Sequence, residues 1–173
     1  MNSKHILALF LSIFGLGTVD IQASQKLVGK PAPMFCSQAV YPDGSVDDFN
    51  LQKHIGHNIV LYFYPKDNSP SCTIQAKKFR DEIGRLKAKG IMVVGISTDS
   101  VQSHKKFQKK LALPYPLIAD TGKHPISKMY KANGFFFGKR ETVLINKKGI
   151  VFKVFDHVDI KNQVDDILEA FKK

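Results

Sequence analysis

The sequence predicts an α/β domain built on a mixed β-sheet with helices on both faces. Two stretches, "NIVLYFY" at residues 58–64 and "IMVVGI" at 91–96, are continuous apolar, β-prone runs, the form taken by strands buried on both sides. Each is followed by a helical pattern, and the chain closes with a hairpin and an amphipathic helix, so the sheet cannot be all parallel. With 173 residues, 43% of them apolar, and no internal repeat or long linker, the chain reads as one domain able to bury a core.

Residues 1–23 read separately. A short basic start, an apolar run of about 14 residues and small residues near Ala23 form the layout of a secretory signal peptide, since a spanning helix needs about 20. Cleavage is expected after Ala23. The domain is then 24–173, an exported chain without a stable membrane anchor, expected in a bacterial periplasm.

Residues 32–49 read as two short strands around a Pro-Asp-Gly turn. After the 58–64 strand, Ser69 is the expected N-cap of a helix with Pro70 at its first position and Gly90 as its stop. Ala76, Phe79, Ile83 and Leu86 form its buried stripe, and Cys72 lies four residues before Ala76 on the same stripe. Residues 99–110 are a second helix, 115–120 a short strand and 124–133 a helix. Residues 140–146 and 150–158 form a hairpin through Lys147-Lys148-Gly149, and 161–173 the closing helix.

Net charge is +11, and it stays there without residues 1–23 because Lys4 and Asp20 cancel. The lysines are scattered pairs interleaved with acids, the pattern of solvated faces, so no nucleic-acid partner is expected.

The chemistry centres on Cys72. At the third position of a helix it would sit among unpaired backbone N–H groups at the positive end of the dipole. A free cysteine has a pKa of about 8.5, and helix N-termini and nearby cations can bring it to about 3.5 to 7.5. The same letter also fits an inert core cysteine. A metal site fits poorly: the cysteines are two and far apart, and His54, His57, His104, His124 and His157 make no ligand array. His54 and His57 are expected to be solvated in a loop.

"YPKDNSPSCTIQAKKFRD", "GISTDSVQSHKKF", "LPYPLIAD" and "RETVLINKKGI" together resemble the peroxiredoxins, in their bacterioferritin comigratory protein or Q-type branch. The resemblance runs from about Lys30 onward and implies a thioredoxin-like fold. Pro65, Ser69 and Cys72 match the family's Pro, three residues, Thr or Ser, two residues, Cys pattern, and Arg140 stands where the family has an arginine entering a later strand.

What the resemblance implies is a thiol peroxidase. Cys72 would attack hydrogen peroxide or an organic hydroperoxide and become a sulfenic acid. Arg140 would favour the thiolate and hold the peroxide, and the Ser69 hydroxyl with the Cys72 N–H would stabilise charge on the leaving oxygen. Pro65 would shield the sulfur from water. No cofactor is implied.

Two departures from the branch stand out. Ser69 and Ser71 replace its usual Thr and Gly. Lys77 replaces the resolving cysteine that many members carry five residues after the first. Cys36, the other thiol, is expected to be a buried free thiol, with an unconventional resolving cysteine or a disulfide partner as alternatives. A one-cysteine mechanism follows, with reduction by a small thiol or a thioredoxin-like partner. A monomer is expected, with a dimer as the alternative. An exported thiol-disulfide exchanger and a non-catalytic holdase are the competing functions.

Overall fold

The computed structural model describes residues 24–133 and 139–172, so the expected signal peptide lies outside the described residues. Among them a seven-stranded mixed sheet runs in the order β2-β1-β5-β4-β3-β6-β7. The strands are β1 (Cys36–Val40), β2 (Val46–Asn50), β3 (Asn58–Phe63), β4 (Ile91–Ser97), β5 (Leu117–Ala119), β6 (Glu141–Ile145) and β7 (Val151–Phe155). The helices are α1 (Pro70–Asp81), α2 (Ile83–Ala88), α3 (Val101–Leu111), α4 (Pro125–Met129) and α5 (Gln163–Ala170), besides a 3-10 turn at Leu51–His54.

β3, β4 and β5 are parallel and step across the sheet in one direction, so right-handed crossovers put α1 and α3 on the same face. There Cys72, Ala76, Phe79 and Phe107 pack on Val60, Tyr62, Tyr64 and Val93, with Val164 and Ile167 of α5 beside them. The chain then reverses past β3 to reach β6, and Ile126 and Tyr130 at α4 cover the opposite face with Phe35 and Phe49. Helices therefore lie on both faces, as expected, but three of the longer ones share one. The reversal makes β3 the point where connections diverge, and in open α/β sheets the crevice at such a point is where chemistry collects.

Several elements differ in detail from expectation. The helix read as continuous from Ser69 to Gly90 breaks at Glu82, two residues before the poor helix former Gly84. Glu82 straddles the break, pairing with Lys78 at 3.2 Å and Arg85 at 2.9 Å. The new phase buries Leu86 but leaves Ile83 half-buried. His54 is half-buried and stacked on Phe49 at 4.5 Å between centroids, not solvated, whereas His57 is exposed. Cys36 is exposed rather than buried, because it opens β1 at a point where the side chain has passed beyond the core's cover.

Candidate active site

The antiparallel pairing of β6 with β3 places Glu141 opposite Phe63 at the carboxyl end of β3, where the chain turns into α1. Side chains alternate across a sheet, so Glu141 shares a face with Phe63, while Arg140, one residue earlier, falls on the face of Tyr64 and α1. In this way the register brings Arg140 to Cys72 across 68 residues of chain.

Between β3 and α1 the loop is fixed from below. Asp67 is buried; its carboxylate accepts from the Tyr64 hydroxyl (2.8 Å), the Ser103 hydroxyl (2.7 Å) and His104 Nδ1 (2.9 Å). Its N–H donates to Asp99 Oδ2 at 2.8 Å. His104 Nε2 faces the Ile118 carbonyl at 3.1 Å, so the ring bridges the Asp67 carboxylate and β5. Burial, then the Asp67 charge, pushes the Tyr64 phenol well above its usual range, which keeps it a donor. Asn68 then takes a left-handed turn at φ +60°, a conformation Asn tolerates, and launches the helix.

α1 begins as the sequence indicates, with Ser69 extended and Pro70 first, but the Ser69 side chain makes no capping bond. Its carbonyl accepts from the Thr73 N–H at 2.9 Å, while its hydroxyl oxygen is buried with no partner among the described residues. On the same buried face, Tyr115 donates to the Ala76 carbonyl at 3.0 Å and holds α1 against the sheet.

Cys72 is 1% exposed on the inner stripe of α1. Arg140 Nη2 lies 3.3 Å from the sulfur and 2.8 Å from the Ser71 hydroxyl, and Nη1 donates to Gln75 Oε1. Gln75 is fully buried and its Nε2 donates to Gln163 Oε1 at 2.9 Å. Among the described residues Arg140 has no carboxylate partner, so its charge is left to act on the sulfur. Pro65 is half-buried in the loop before α1.

Thus Cys72 and Arg140 meet, Ser69 stands three residues before the sulfur with an unused hydroxyl, and Pro65 lies in the loop between β3 and α1. Sequence reasoning missed Ser71, Gln75 and Gln163. Gln75 did carry a signal: at three residues after Cys72 it is a polar residue on an otherwise apolar buried stripe, and such a group needs partners. Cys36 opens β1, which is separated from β3 by β5 and β4, a sideways distance of about 14 Å at ordinary strand spacing. Both thiols are free, and Lys77 is exposed on the outer face of α1. Among the described residues no group of three or more His, Cys, Asp or Glu side chains could hold a metal ion.

A buried thiol at a helix N-terminus, faced by an arginine and carried on a thioredoxin-like sheet, defines a cysteine-based redox enzyme. Residues 28–154 match the AhpC/TSA family. The bcp peroxiredoxin of Helicobacter pylori strain J99 is 36% identical over 151 residues, covering 83% of this chain and 96% of that protein. Chloroplastic peroxiredoxin Q of Sedum lineare is 42% identical over 127 residues, covering 71% and 68%. Among solved structures, Xanthomonas campestris peroxiredoxin Q superposes with a TM-score of 0.72 at 27% identity, covering 80% of this chain and 89% of that one. The chain belongs to the AhpC/TSA family, in its bcp and Q peroxiredoxin branch, and is a thiol peroxidase.

Proposed function

We propose that this peroxiredoxin works by a one-cysteine mechanism in which Cys72 reduces hydrogen peroxide and organic hydroperoxides and an external thiol restores it. The observation that carries the reading is the Arg140 guanidinium 3.3 Å from a buried Cys72 sulfur that has no second thiol beside it. The thiolate attacks one peroxide oxygen, the O–O bond breaks, and the other oxygen leaves with the electron pair, takes a proton and departs as water or alcohol. The sulfur is oxidised to sulfenic acid and the peroxide is reduced.

Arg140 favours the thiolate and orients the peroxide; it is a fixed cation where charge develops. The Ser69 hydroxyl, buried and without a protein partner, is the free donor for the leaving oxygen. Pro65 limits water around the sulfur. Reduction proceeds through a mixed disulfide between Cys72 and a small thiol or a thioredoxin-like protein, which a second thiol then releases. The protein acts after export, with Ser24 as its first residue.

Intact mass of the mature chain after one equivalent of peroxide, with and without a sulfenic-acid trap, tests the mechanism. A single trapped adduct on Cys72 supports it, and an intramolecular disulfide refutes it. N-terminal sequencing of protein from the producing cell tests export: a chain still beginning at Met1 removes it.

A further inference from the structure

The arginine at the sulfur is held by a relay of neutral amides that ends in the C-terminal helix. Arg140 carries only donors, so the Gln75 atom facing it must be oxygen, and the Gln75 atom facing Gln163 must then be nitrogen. That nitrogen in turn requires the oxygen of Gln163. Each amide orientation is therefore fixed by the one before, starting at the guanidinium. Gln163 opens α5 and is 4% exposed; with Thr142 it lines a small cavity, and neither Gln163 Nε2 nor Thr142 Oγ1 has a protein partner among the described residues.

We propose that Gln163 is a positioning residue for Cys72: acting through Gln75, it holds the Arg140 guanidinium against the sulfur without a carboxylate that would share the cation's charge. This rests on the reading of Cys72 as the attacking thiol. If Gln163 is lost, the Gln75 N–H group is buried with nothing to bond, and turning the amide over would put a donor against the donors of Arg140. The guanidinium then loses one of its three anchors. Among groups facing the relay, Arg140 is the cation; Asp159, Asp166 and His157 line the cavity beyond Gln163, and Asp165, on the first turn of α5, is engaged outside by Arg85 at 2.8 Å.

The test uses the mature chain in a Cys36→Ser background, so that only one thiol is read. Two measurements do not involve peroxide: the pH at which the thiolate absorbance appears, and the rate of alkylation by iodoacetamide. In Gln163→Leu the thiolate should appear at higher pH, and alkylation and peroxide attack at neutral pH should each slow by roughly tenfold, the effect of one buried donor left unpaired. Gln163→Glu keeps the acceptor for Gln75 but adds charge. It should be slow at neutral pH and recover the parental alkylation rate once the thiol is fully ionised.

A folded Gln163→Leu with the parental titration and rates overturns the proposal. If that variant does not fold, Gln163→Asn, which withdraws the acceptor from Gln75 without adding charge, decides alone: a parental pH profile overturns the relay, and an upward shift supports it. Should the parent fail to reduce peroxide while the thiolate shifts persist, the peroxidase mechanism falls and the relay stands.

Discussion

Two buried polar clusters lie at the carboxyl end of β3, one on either side of the turn into α1, and they treat charge in opposite ways. In the first, His104 is matched by the Asp67 carboxylate, which also accepts from two hydroxyls. In the second, Arg140 meets Gln75, Ser71 and the Cys72 sulfur and, among the described residues, no carboxylate. A compensated charge locks geometry and offers nothing to a neighbour. An uncompensated one, held by neutral dipoles, still projects its field on the group in front of it. The first cluster fastens the loop; the second is left to act on sulfur.

The largest expected effect breaks the second cluster. Cys72→Ser should abolish peroxide reduction, and Arg140→Ala should lower the second-order rate constant of Cys72 oxidation about a hundredfold, as loss of one preorganised charge donor does. Stopped-flow measurement of the first turnover reads both. Stability should fall by about 1 to 3 kcal/mol in Arg140→Ala, because the buried Gln75 Oε1 loses its donor. An unchanged rate in Arg140→Ala would remove the distinction between the clusters.

Breaking the first cluster should give the reverse profile. Asp67→Ala leaves the His104 ring, the Tyr64 hydroxyl and the Ser103 hydroxyl without their shared acceptor, and each buried donor left unsatisfied costs about 1 to 3 kcal/mol. Urea unfolding at neutral pH checks it. In the fraction that remains folded, the pH at which the Cys72 thiolate appears should move less than in Arg140→Ala. A shift as large as that of Arg140→Ala would mean that the loop pair also tunes the sulfur.

Glu141 supplies a third case, one residue from Arg140 and on the other face of the sheet. It is 3% exposed and its Oε2 has no hydrogen-bond partner among the described residues. Burial pushes its carboxyl up from 4.5 to about 7, with the Ser24 hydroxyl and Lys139 only partly offsetting that. The folded protein therefore binds this proton more tightly than the unfolded chain. The Glu141 contribution to stability is full below about pH 4.5, is lost as pH rises through about 7 and is flat above, a loss of up to about 3 kcal/mol. Glu141→Gln should abolish that slope and unfold at higher denaturant at pH 8 but not at pH 4.5. Equal midpoints at pH 8 would mean that the carboxylate is compensated after all.

Much of the fold and the centre of the site was legible in the sequence, for identifiable reasons. The buried strands are written as continuous apolar runs, α1 by Ser69-Pro70, and Cys72 by its place on the stripe. Arg140 was legible only through its resemblance to a family pattern, because the register that carries it to the sulfur is a long-range property of β3 and β6. The Asp67–His104 pair was not legible at all: 37 residues separate the two, and only the packing of α3 on the sheet brings the ring to the carboxylate. The exposure of Cys36 escaped for the same reason, since it depends on where the core's cover ends, whereas the Glu82 break did carry a local signal in Gly84.

A smaller effect sharpens the comparison by giving the second cluster what the first has. Gln75→Glu places a carboxylate on Arg140 in the existing geometry, so the guanidinium should stay in place while part of its field is spent locally. The thiolate should then appear at higher pH and attack at neutral pH should slow several-fold, with no loss above the new titration point. Faster attack at neutral pH would show that anchoring the arginine matters more than leaving its charge free.

The smallest effect is expected at Cys36. It is exposed, β5 and β4 stand between its strand and β3, and a disulfide needs Cα atoms within about 7 Å, so Cys36 would have to leave β1 to meet Cys72 in the same chain. Cys36→Ser should therefore change the rate of Cys72 oxidation by less than about twofold, in keeping with a surface substitution away from the chemistry. With no internal thiol to consume it, the sulfenic acid should persist, take up a dimedone-type probe at Cys72 alone, and pass to sulfinic acid when peroxide is in excess. A monomer lighter by two hydrogens, with a Cys36 to Cys72 peptide on digestion, would show that β1 opens to resolve the sulfenic acid. A peroxide-induced dimer that Cys36→Ser prevents would show instead that the exposed thiol resolves a second copy. Either product would move Cys36 from bystander to reactant, and the sulfur that Arg140 activates would then need local unfolding of α1 to be reached.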